Sequence, residues 1–166
     1  MAEPAISRHV IAVDFEAIAE ITNHYIAATA IHFGLQPVSA AELRAGWEKS
    51  ASTHPYLVLL DGAGSVLGYA KSGTWRDRAA YNHTAEVGIY LRPDLHGRGH
   101  GRRLYERLIT ACRDRGFRTL VGGVALPNEP SQRLHAACGF SLVGIFREVG
   151  RKFDRWHDVA WYQLML

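Results

Sequence analysis

The sequence has few cysteines, no long apolar run and no internal repeat, and each of these absences narrows what the protein can be. Its longest apolar segments, such as Tyr56–Leu60, are far shorter than the roughly 20 residues of a membrane-spanning helix. The N-terminal segment MAEPAISRHV lacks the basic and apolar regions of a secretory signal. Only Cys112 and Cys138 occur, and we expect reduced thiols in a cytoplasmic protein, with a disulfide between them left open.

The composition is that of one soluble globular domain. The chain has 166 residues, of which 48% are hydrophobic and 21% charged. No linker or low-complexity tract divides it, so we expect a single domain over residues 1–166 that buries about two-thirds of its unfolded surface. The net charge of +3 permits an anionic ligand without implying nucleic acid. Four arginines crowd one segment and either attract phosphate or form a solvated helix face: Arg98, Arg102, Arg103 and Arg107.

Hydrophobic periodicity and capping residues predict eleven elements in the order β-α-α-β-β-β-α-β-α-β-β. Asp14 and the capping box of Ser39 and Glu42 each begin a helix, a third helix begins near Gly99, and Asn128 caps a fourth. The turn DGAGS joins two strands as an antiparallel hairpin. The predicted strands are Ile6–Val13, Tyr56–Leu60, Val66–Ser72, Ala85–Leu91, Thr119–Leu126, Phe140–Phe146 and His157–Leu166. This order indicates an α/β or α+β fold with a single mixed sheet.

A glycine-rich loop, LRPDLHGRGHGRRLYERL at residues 91–108, lies between a strand and a helix. The unpaired amides and dipole of a helix N-terminus attract anions, and glycines let an anion approach the backbone. The loop lacks the lysine of a Walker A motif and the G-x-G-x-x-G spacing of a dinucleotide fingerprint. His96 and His100 have no third metal ligand nearby. The residues alone leave a phosphate site and a plain structural turn equally open.

The loop and four other segments resemble the GNAT superfamily of N-acetyltransferases. Its acetyl-CoA pyrophosphate motif, [Gln/Arg]-x-x-Gly-x-[Gly/Ala], matches His96–Gly101, with histidine where glutamine or arginine is usual. The segments DFEAIAEITNHYI, GTWRDRAAYNHTAEVGIYL, ALPNEPSQRLHAACGF and GRKFDRWHDVAWYQL are similar to the phosphinothricin and methionine sulfoximine N-acetyltransferases across nearly the whole chain. The resemblance implies a mostly antiparallel mixed sheet with about four helices, acetyl-CoA as cosubstrate without a metal, and a homodimer.

The implied reaction transfers acetyl from acetyl-CoA to the α-amine of a small amino acid or analogue. It requires that an ammonium loses a proton, that the oxyanion is stabilised and that the thiolate is protonated. Glu86, which stands where the family has its catalytic glutamate, is the candidate general base, acting directly, through water or by holding the ammonium. Without the resemblance, Glu86 reads as a solvated carboxylate at a strand end.

The resemblance also implies how acetyl-CoA is held. Gly88 suggests a bulge or a close backbone approach, and a splay of the fourth strand from the fifth would expose backbone to the pantetheine arm. His135 is the candidate acid for the thiolate, with an exposed helix residue as the alternative, and Asn128 serves as helix cap, cofactor ligand or both. The predicted cofactor-binding residues are Ile89, Tyr90, Leu91, His96, Gly97, Arg98, Gly99, His100, Gly101 and Asn128.

The segment WRDRAAY aligns with the acceptor loop of the family. An arginine there can bind a carboxylate through two hydrogen bonds, which suits an amino-acid substrate, whereas an ordinary exposed loop is the alternative. The predicted substrate-binding residues are Phe33, Trp75, Arg76, Arg78 and Tyr81. The segment KFDRWHDV is typical of the family, and its role, in shaping the pocket or in dimer contact, stays open.

Three other functions compete with this hypothesis. The same fold can acetylate a protein N-terminus or a polyamine, although the arginines at positions 76 and 78 disfavour a cationic acceptor. A CoA-binding protein without catalysis would not need Glu86. Nucleic-acid binding through the arginine cluster is disfavoured because only Tyr105 offers a stacking ring within it.

Overall fold

The computed structural model describes residues 5–95 and 97–166, which form four α-helices and one sheet of seven strands. The helices are α1 (Phe15–Ala28), α2 (Ala40–Glu48), α3 (His100–Asp114) and α4 (Glu129–Ala137). The strands are β1 (Ile6–His9), β2 (Tyr56–Leu60), β3 (Val66–Thr74), β4 (Thr84–Leu91), β5 (Thr119–Ala125), β6 (Ser141–Lys152) and β7 (Arg155–Met165). The predicted order of elements and the mixed, mostly antiparallel sheet are confirmed.

The sheet has the strand order β1-β2-β3-β4-β5-β7-β6. Every neighbouring pair is antiparallel except β4 and β5, which run parallel. The parallel pairing is short, because it joins only Thr84–Glu86 to Thr119–Val121. Beyond Glu86 the two strands separate while β4 continues to pair with β3 as far as Leu91. The sheet is therefore forked at its centre, as the resemblance implied.

The two faces of the sheet are covered by different helices. Alternate residues of a strand point to opposite faces, so Ala85, Val87 and Leu91 share one face of β4 and Glu86 and Tyr90 the other. The first set belongs to a large apolar cluster around the buried side of α3. Tyr90 packs against a second cluster around the buried side of α1. Glu86 therefore lies on the face of α1, away from the main core.

The helix caps follow the sequence with one exception. Ser39 and Glu42 form the predicted capping box, and the Asn128 side chain accepts a hydrogen bond from the Ser131 amide at 3.3 Å. The prediction that the Asp14 side chain caps α1 is wrong, because its carboxylate turns back to Arg8 at 2.7 Å and to the Ile11 amide at 2.8 Å. A short 3₁₀ turn, Ala12–Asp14, stands where the first strand was expected to continue.

The last hairpin is longer than predicted. We expected β6 to end at Phe146, but it continues through an irregular stretch to Lys152. Phe153 and Asp154 make the turn with φ of 52° and 55°, as a two-residue hairpin of the primed type requires. Of the two alternatives for Gly88, the bulge is wrong because Gly88 pairs regularly with Lys71, and a close approach to the backbone stays a prediction. The glycine instead lies beyond the fork, beside open space.

Three expectations about the chain as a whole can be compared with the structure. Cys112 and Cys138 are both free, so the alternative of a disulfide between them does not hold. Of the helices described, none is both long and apolar enough to cross a membrane. Within residues 5–95 and 97–166 we find no group of three or more metal-binding side chains.

Candidate active site

A cleft of about 400 Å³ opens where β4 and β5 separate. One wall is β4 from Val87 to Leu91, and the opposite wall is formed by Gly123–Ala125 of β5 and by one side of α4. The glycine-rich loop and the first turn of α3 close one end. The cleft exists because the parallel pairing of the two strands stops at Glu86, so backbone that a neighbouring strand would cover stays accessible.

The glycine-rich loop has the backbone of an anion site. Gly97 and Gly99 adopt φ of 77° and 78°, which other residues rarely do, and Gly99 is the residue before the first turn of α3. The first amides of α3 therefore lack partners within the helix and point into the cleft. Gly101 lies in the helix, where a Cβ would meet the Leu91 side chain at 3.4 Å. The predicted residue His96 lies outside the described residues.

Tyr25 of α1 contacts the part of β4 that forms one wall of the cleft. The hydroxyl of Tyr25 donates a hydrogen bond to the Leu91 carbonyl at 2.6 Å, which occupies one acceptor at the far end of the wall. The Tyr25 and Tyr90 rings lie 5.3 Å apart, and burial together with nearby Tyr25 and Glu86 raises the pKa of Tyr90 to about 12. Both tyrosines therefore stay protonated near neutral pH and are hydrogen-bond donors there.

His135 lies in the wall of the cleft but is almost fully buried, with 4% of its surface exposed. Its Nδ1 is 2.8 Å from the Ser131 carbonyl, which can only accept, so Nδ1 carries the proton. Nε2 then accepts from the Tyr105 hydroxyl at 3.1 Å. Burial lowers the pKa of His135, partly opposed by the Ser131 carbonyl. The ring is neutral and links α3 to α4, so the alternative of an exposed helix residue is wrong.

Glycine makes room for this ring on β5. A Cβ at Gly122 would lie 2.7 Å from Nε2 of His135, closer than a Cβ atom comes to a heavy atom outside its own residue and neighbours. The rings of Tyr105, Phe140 and Tyr162 surround the imidazole at 5.1–5.3 Å between centroids. Gly122 therefore leaves the space that the buried His135 ring occupies, whereas a Cβ at Gly123 would meet the Trp161 ring at 3.2 Å.

Glu86 stands at the base of the fork. It is the last residue of β4 that pairs with β5, and it opposes Gly73 on β3. Its side chain reaches solvent, yet the surrounding protein removes part of its hydration and raises its pKa, while Arg76 and Lys71 oppose this shift. A carboxylate with a raised pKa beside a cleft is a suitable proton acceptor.

The predicted acceptor residues divide into two groups. The guanidinium of Arg76 stacks 4.6 Å from the centre of the Trp75 ring, and Trp75 packs against Trp161 at 4.8 Å. The Arg76 guanidinium also acts electrostatically on the carboxyl of Glu86. Arg78 and Tyr81 instead lie at an exposed 3₁₀ turn, Ala79–Tyr81, on the surface. None of the five predicted acceptor residues lines the cleft itself.

Phe33 is held by the last hairpin, which gives the KFDRWHDV segment a structural role. The Phe33 ring lies over Gly150, where a Cβ would meet its Cζ at 2.6 Å, and 6.1 Å from the His157 ring. The buried ammonium of Lys152 donates to the carbonyls of Ile26 at 2.5 Å and His32 at 2.7 Å. The hairpin thus fixes the end of α1 and the loop that follows it.

Two lysines and an isoleucine of the site escaped the sequence analysis. Lys71 is half-buried on β3, and Lys152 anchors the loop after α1. Ile31 of the same loop lines the cleft. A single lysine within the apolar strand segment VLGYAKSGT was the available signal for Lys71. The hydrogen bonds of Lys152 join segments more than 100 residues apart, and Ile31 lines the cleft together with residues of β4 and α4, so no local pattern reveals either role.

A forked mixed sheet with a glycine loop at the fork defines a class of proteins that bind an anionic cofactor between two strands. The family model of the acetyltransferase (GNAT) family matches residues 18–140. The chain therefore belongs to this family.

Relatives of known function are similar over most of the chain. A phosphinothricin N-acetyltransferase of Streptomyces coelicolor is 39% identical and covers 90% of this chain and 90% of its own. The L-amino acid N-acyltransferase MnaT of Escherichia coli is 40% identical, over 92% of this chain and 89% of its own. A GNAT superfamily phosphinothricin acetyltransferase from Sinorhizobium meliloti, solved in complex with acetyl-CoA, superimposes with a TM-score of 0.94 at 34% identity, over 98% of this chain and 88% of that one.

Proposed function

We propose that the protein transfers the acetyl group of acetyl-CoA to the α-amine of a small amino acid or analogue of the phosphinothricin, methionine sulfoximine or methionine sulfone type. The observation that carries the proposal is the fork in the sheet, where the glycine loop and an accessible strand wall line one cleft and Glu86 is the last residue of β4 before that cleft begins. Relatives named for phosphinothricin and for L-methionine sulfoximine or sulfone acetylation support this class of acceptor.

The residues of the cleft fit acetyl-CoA. The amides at the start of α3 and the positive-φ glycines of the loop suit a pyrophosphate, and Arg102 lies at the edge of the cleft. Accessible backbone on β4 at Ile89–Leu91 suits the amides of a pantetheine arm. Asn128, which lines the cleft while capping α4, can offer its amide N–H to the cofactor because only its oxygen is used by the cap.

In the reaction, acetyl-CoA would supply the acetyl group as a thioester. Glu86 accepts one proton of the acceptor's ammonium, directly or through water, so that the nitrogen has a lone pair. The nitrogen then forms a bond to the acetyl carbon and gives up a second proton, the carbon–sulfur bond breaks, and the departing thiolate takes up that second proton. The raised pKa of Glu86 makes it a better base than an ordinary carboxylate, while Arg76 and Lys71 oppose the rise and so favour its ionised form.

The catalytic role of His135 stays a prediction. Its Nδ1 proton is used by Ser131 and its Nε2 by Tyr105, so the described geometry gives it no free proton to donate. The variant His135→Gln tests the role. If His135 protonates the thiolate, kcat falls while the affinity for acetyl-CoA is kept; if it only joins the two helices, thermal stability falls and kcat follows the folded fraction.

We also propose a homodimer formed through the last hairpin. Because β6 is an edge strand, its unpaired side invites association. Large apolar side chains cover this strand and the adjoining turn, all at least 39% exposed: Leu142, Val143, Ile145, Phe146, Val149, Phe153 and Trp156. Equilibrium sedimentation should give a mass of two chains, and Val143→Glu should give one; a monomeric parent protein would refute the dimer. The sequence alone supports a further proposal, that the protein acts in the cytoplasm.

One experiment tests the activity. The purified protein is mixed with acetyl-CoA and, separately, phosphinothricin, methionine sulfoximine, methionine sulfone, common amino acids, peptides and polyamines, and thiol release is measured. We expect turnover with the amino-acid group and a loss of about 100- to 10,000-fold in kcat for Glu86→Gln at unchanged acetyl-CoA affinity. Turnover with peptides or polyamines alone would favour another amine acceptor, and no turnover would refute the enzyme.

A further inference from the structure

Four residues at the base of the fork form a square with charges on one diagonal and glycines on the other. On the β3–β4 ladder, Lys71 opposes Gly88 and Gly73 opposes Glu86. Directly opposed residues of an antiparallel pair point to the same face, so all four lie on the face of α1. Lys71 and Glu86 are thus diagonal neighbours, and the residues at the other two corners, Gly73 and Gly88, have no side chain.

The two glycines leave this part of the sheet open. A Cβ at Gly73 would meet nothing within 4 Å, and one at Gly88 would meet only the edge of the Tyr90 ring at 3.8 Å. Any larger side chain at either position would fill the space between the two charges. The glycine pair therefore leaves a hollow on this face of the sheet, with Lys71 and Glu86 at its two other corners.

Neither charge has a direct partner in the described part of the chain. Lys71 and Glu86 act on each other's pKa, but they form no ion pair or hydrogen bond with each other or with another described residue. Burial lowers the pKa of Lys71, and Glu86 opposes this shift. A half-buried ammonium without a hydrogen-bonded anion is unfavourable, and a bound anion would relieve it.

We propose that Lys71 binds the α-carboxylate of the acceptor, with the acceptor's α-amine at Glu86 and its α-carbon over Gly73 and Gly88. The inference rests on the proposed function and deepens it, because it assigns zwitterion recognition to a residue on β3 rather than to the WRDRAAY loop alone. The diagonal of an antiparallel pair spans about 7–8 Å, which accommodates a carboxylate and an amine with one charge-assisted hydrogen bond at each end.

The surroundings of the hollow favour this orientation. Arg76 acts electrostatically on the carboxyl of Glu86, so the anion at that end of the diagonal already has a second cation near it. The loop after α1 covers the Lys71 side, where the pKa of His32 is lowered by burial and by Lys71 and Lys152. The charged form of His32 is thus disfavoured. Lys152 is held by two carbonyls, whereas Lys71 has no direct partner in the described part of the chain.

The test compares acceptors that differ only in the carboxylate. Acetylation of methionine sulfone and of its carboxamide, in which a neutral amide replaces the carboxylate, is measured for the parent protein, Lys71→Met and Lys71→Arg. We expect the parent to prefer the acid, and Lys71→Met to reduce the ratio of the two kcat/KM values by about 10- to 100-fold, through KM for the acid. Lys71→Arg should retain most of the preference. Lys49→Met, on the exposed end of α2, is the matched control.

Each alternative gives a different result. If Lys71 only tunes Glu86, Lys71→Met shifts the pH profile equally for both acceptors and leaves the ratio unchanged, which would overturn the proposal. A ratio that falls in Arg76→Met but not in Lys71→Met would overturn it as well. If the parent protein acetylates neither compound nor any other amino acid, the proposed function fails instead. Should Lys71→Met not fold, Lys71→Gln keeps a polar chain of similar length and serves the same comparison.

Discussion

A substitution at Gly99 separates the cofactor role of the glycine loop from its structural role. In Gly99→Ala the new Cβ meets nothing within 4 Å, so the whole cost is that of an L-residue at φ 78°. This cost is about 1–2 kcal/mol. Gly64→Ala is a matched control, because Gly64 has φ 84° and equally open space but lies in the β2–β3 turn, far from the cleft. Both variants should lower the free energy of unfolding by similar amounts.

Only Gly99→Ala should weaken acetyl-CoA binding. If the loop relaxes to a negative φ, the amides of α3 no longer converge, and the complex must restore them at the cost of about 1–2 kcal/mol, or about 5- to 30-fold in Kd. Calorimetric titration with acetyl-CoA and urea unfolding measure the two quantities. An unchanged Kd in Gly99→Ala, or an equal loss in Gly64→Ala, would refute the assignment of this loop to the pyrophosphate.

Three further variants test the electrostatics and the anchoring of the site. Because Arg76 opposes the burial that raises the pKa of Glu86, Arg76→Met should raise this pKa further and move the acidic limb of kcat/KM to higher pH; a limb that stays in place would show that Glu86 is not the titrating base. Asp14→Asn should lower the free energy of unfolding by about 1–3 kcal/mol at pH 7. Burial alone would raise the pKa of Asp14, but hydrogen bonds from Arg8 and Ile11 outweigh it and lower the pKa, so this stability is present above the unfolded value of about 3.9 and is lost as pH falls through the folded pKa. The difference between Asp14→Asn and the parent should therefore narrow below about pH 4 in acid titrations followed by circular dichroism. Lys152→Met leaves the carbonyls of Ile26 and His32 without their donor and should cost about 2–4 kcal/mol in urea unfolding, whereas an unaltered value would mean that water replaces the ammonium.

Local sequence patterns predicted the helices and strands correctly, but they predicted the first and last residues of these elements less accurately. The capping box at Ser39, the cap at Asn128 and the glycine loop depend on neighbours within four residues, so they can be read from the chain. Asp14 also had a cap sequence, but Arg8 competes for its carboxylate after β1 and the 3₁₀ turn fold back on each other. The end of β6 was missed because the strand is irregular between Phe146 and Gly150 and is held by pairing with β7.

The sequence predicted which kind of site the protein has, but not how the residues of that site are arranged in space. The glycine loop and the position of Glu86 before it are features of one continuous segment, and with the family resemblance they indicated the reaction class. His135 could not be distinguished from a surface residue, because its burial depends on Tyr105 of another helix and on the space above Gly122. The square of Lys71, Gly73, Glu86 and Gly88 depends on the register of two strands, which a shift of one residue would destroy.

The sequence by itself determined the order of elements and, through the family resemblance, the acetyltransferase family, because these depend on short-range spacing and on similarity along the chain. Tertiary structure alone decided where the sheet forks, which residues share its faces and which charges stay unpaired. Lys71 and Glu86 are 15 residues apart in the numbering yet become diagonal neighbours through strand pairing. Pairing register and burial act between distant segments, and only the folded chain brings these together.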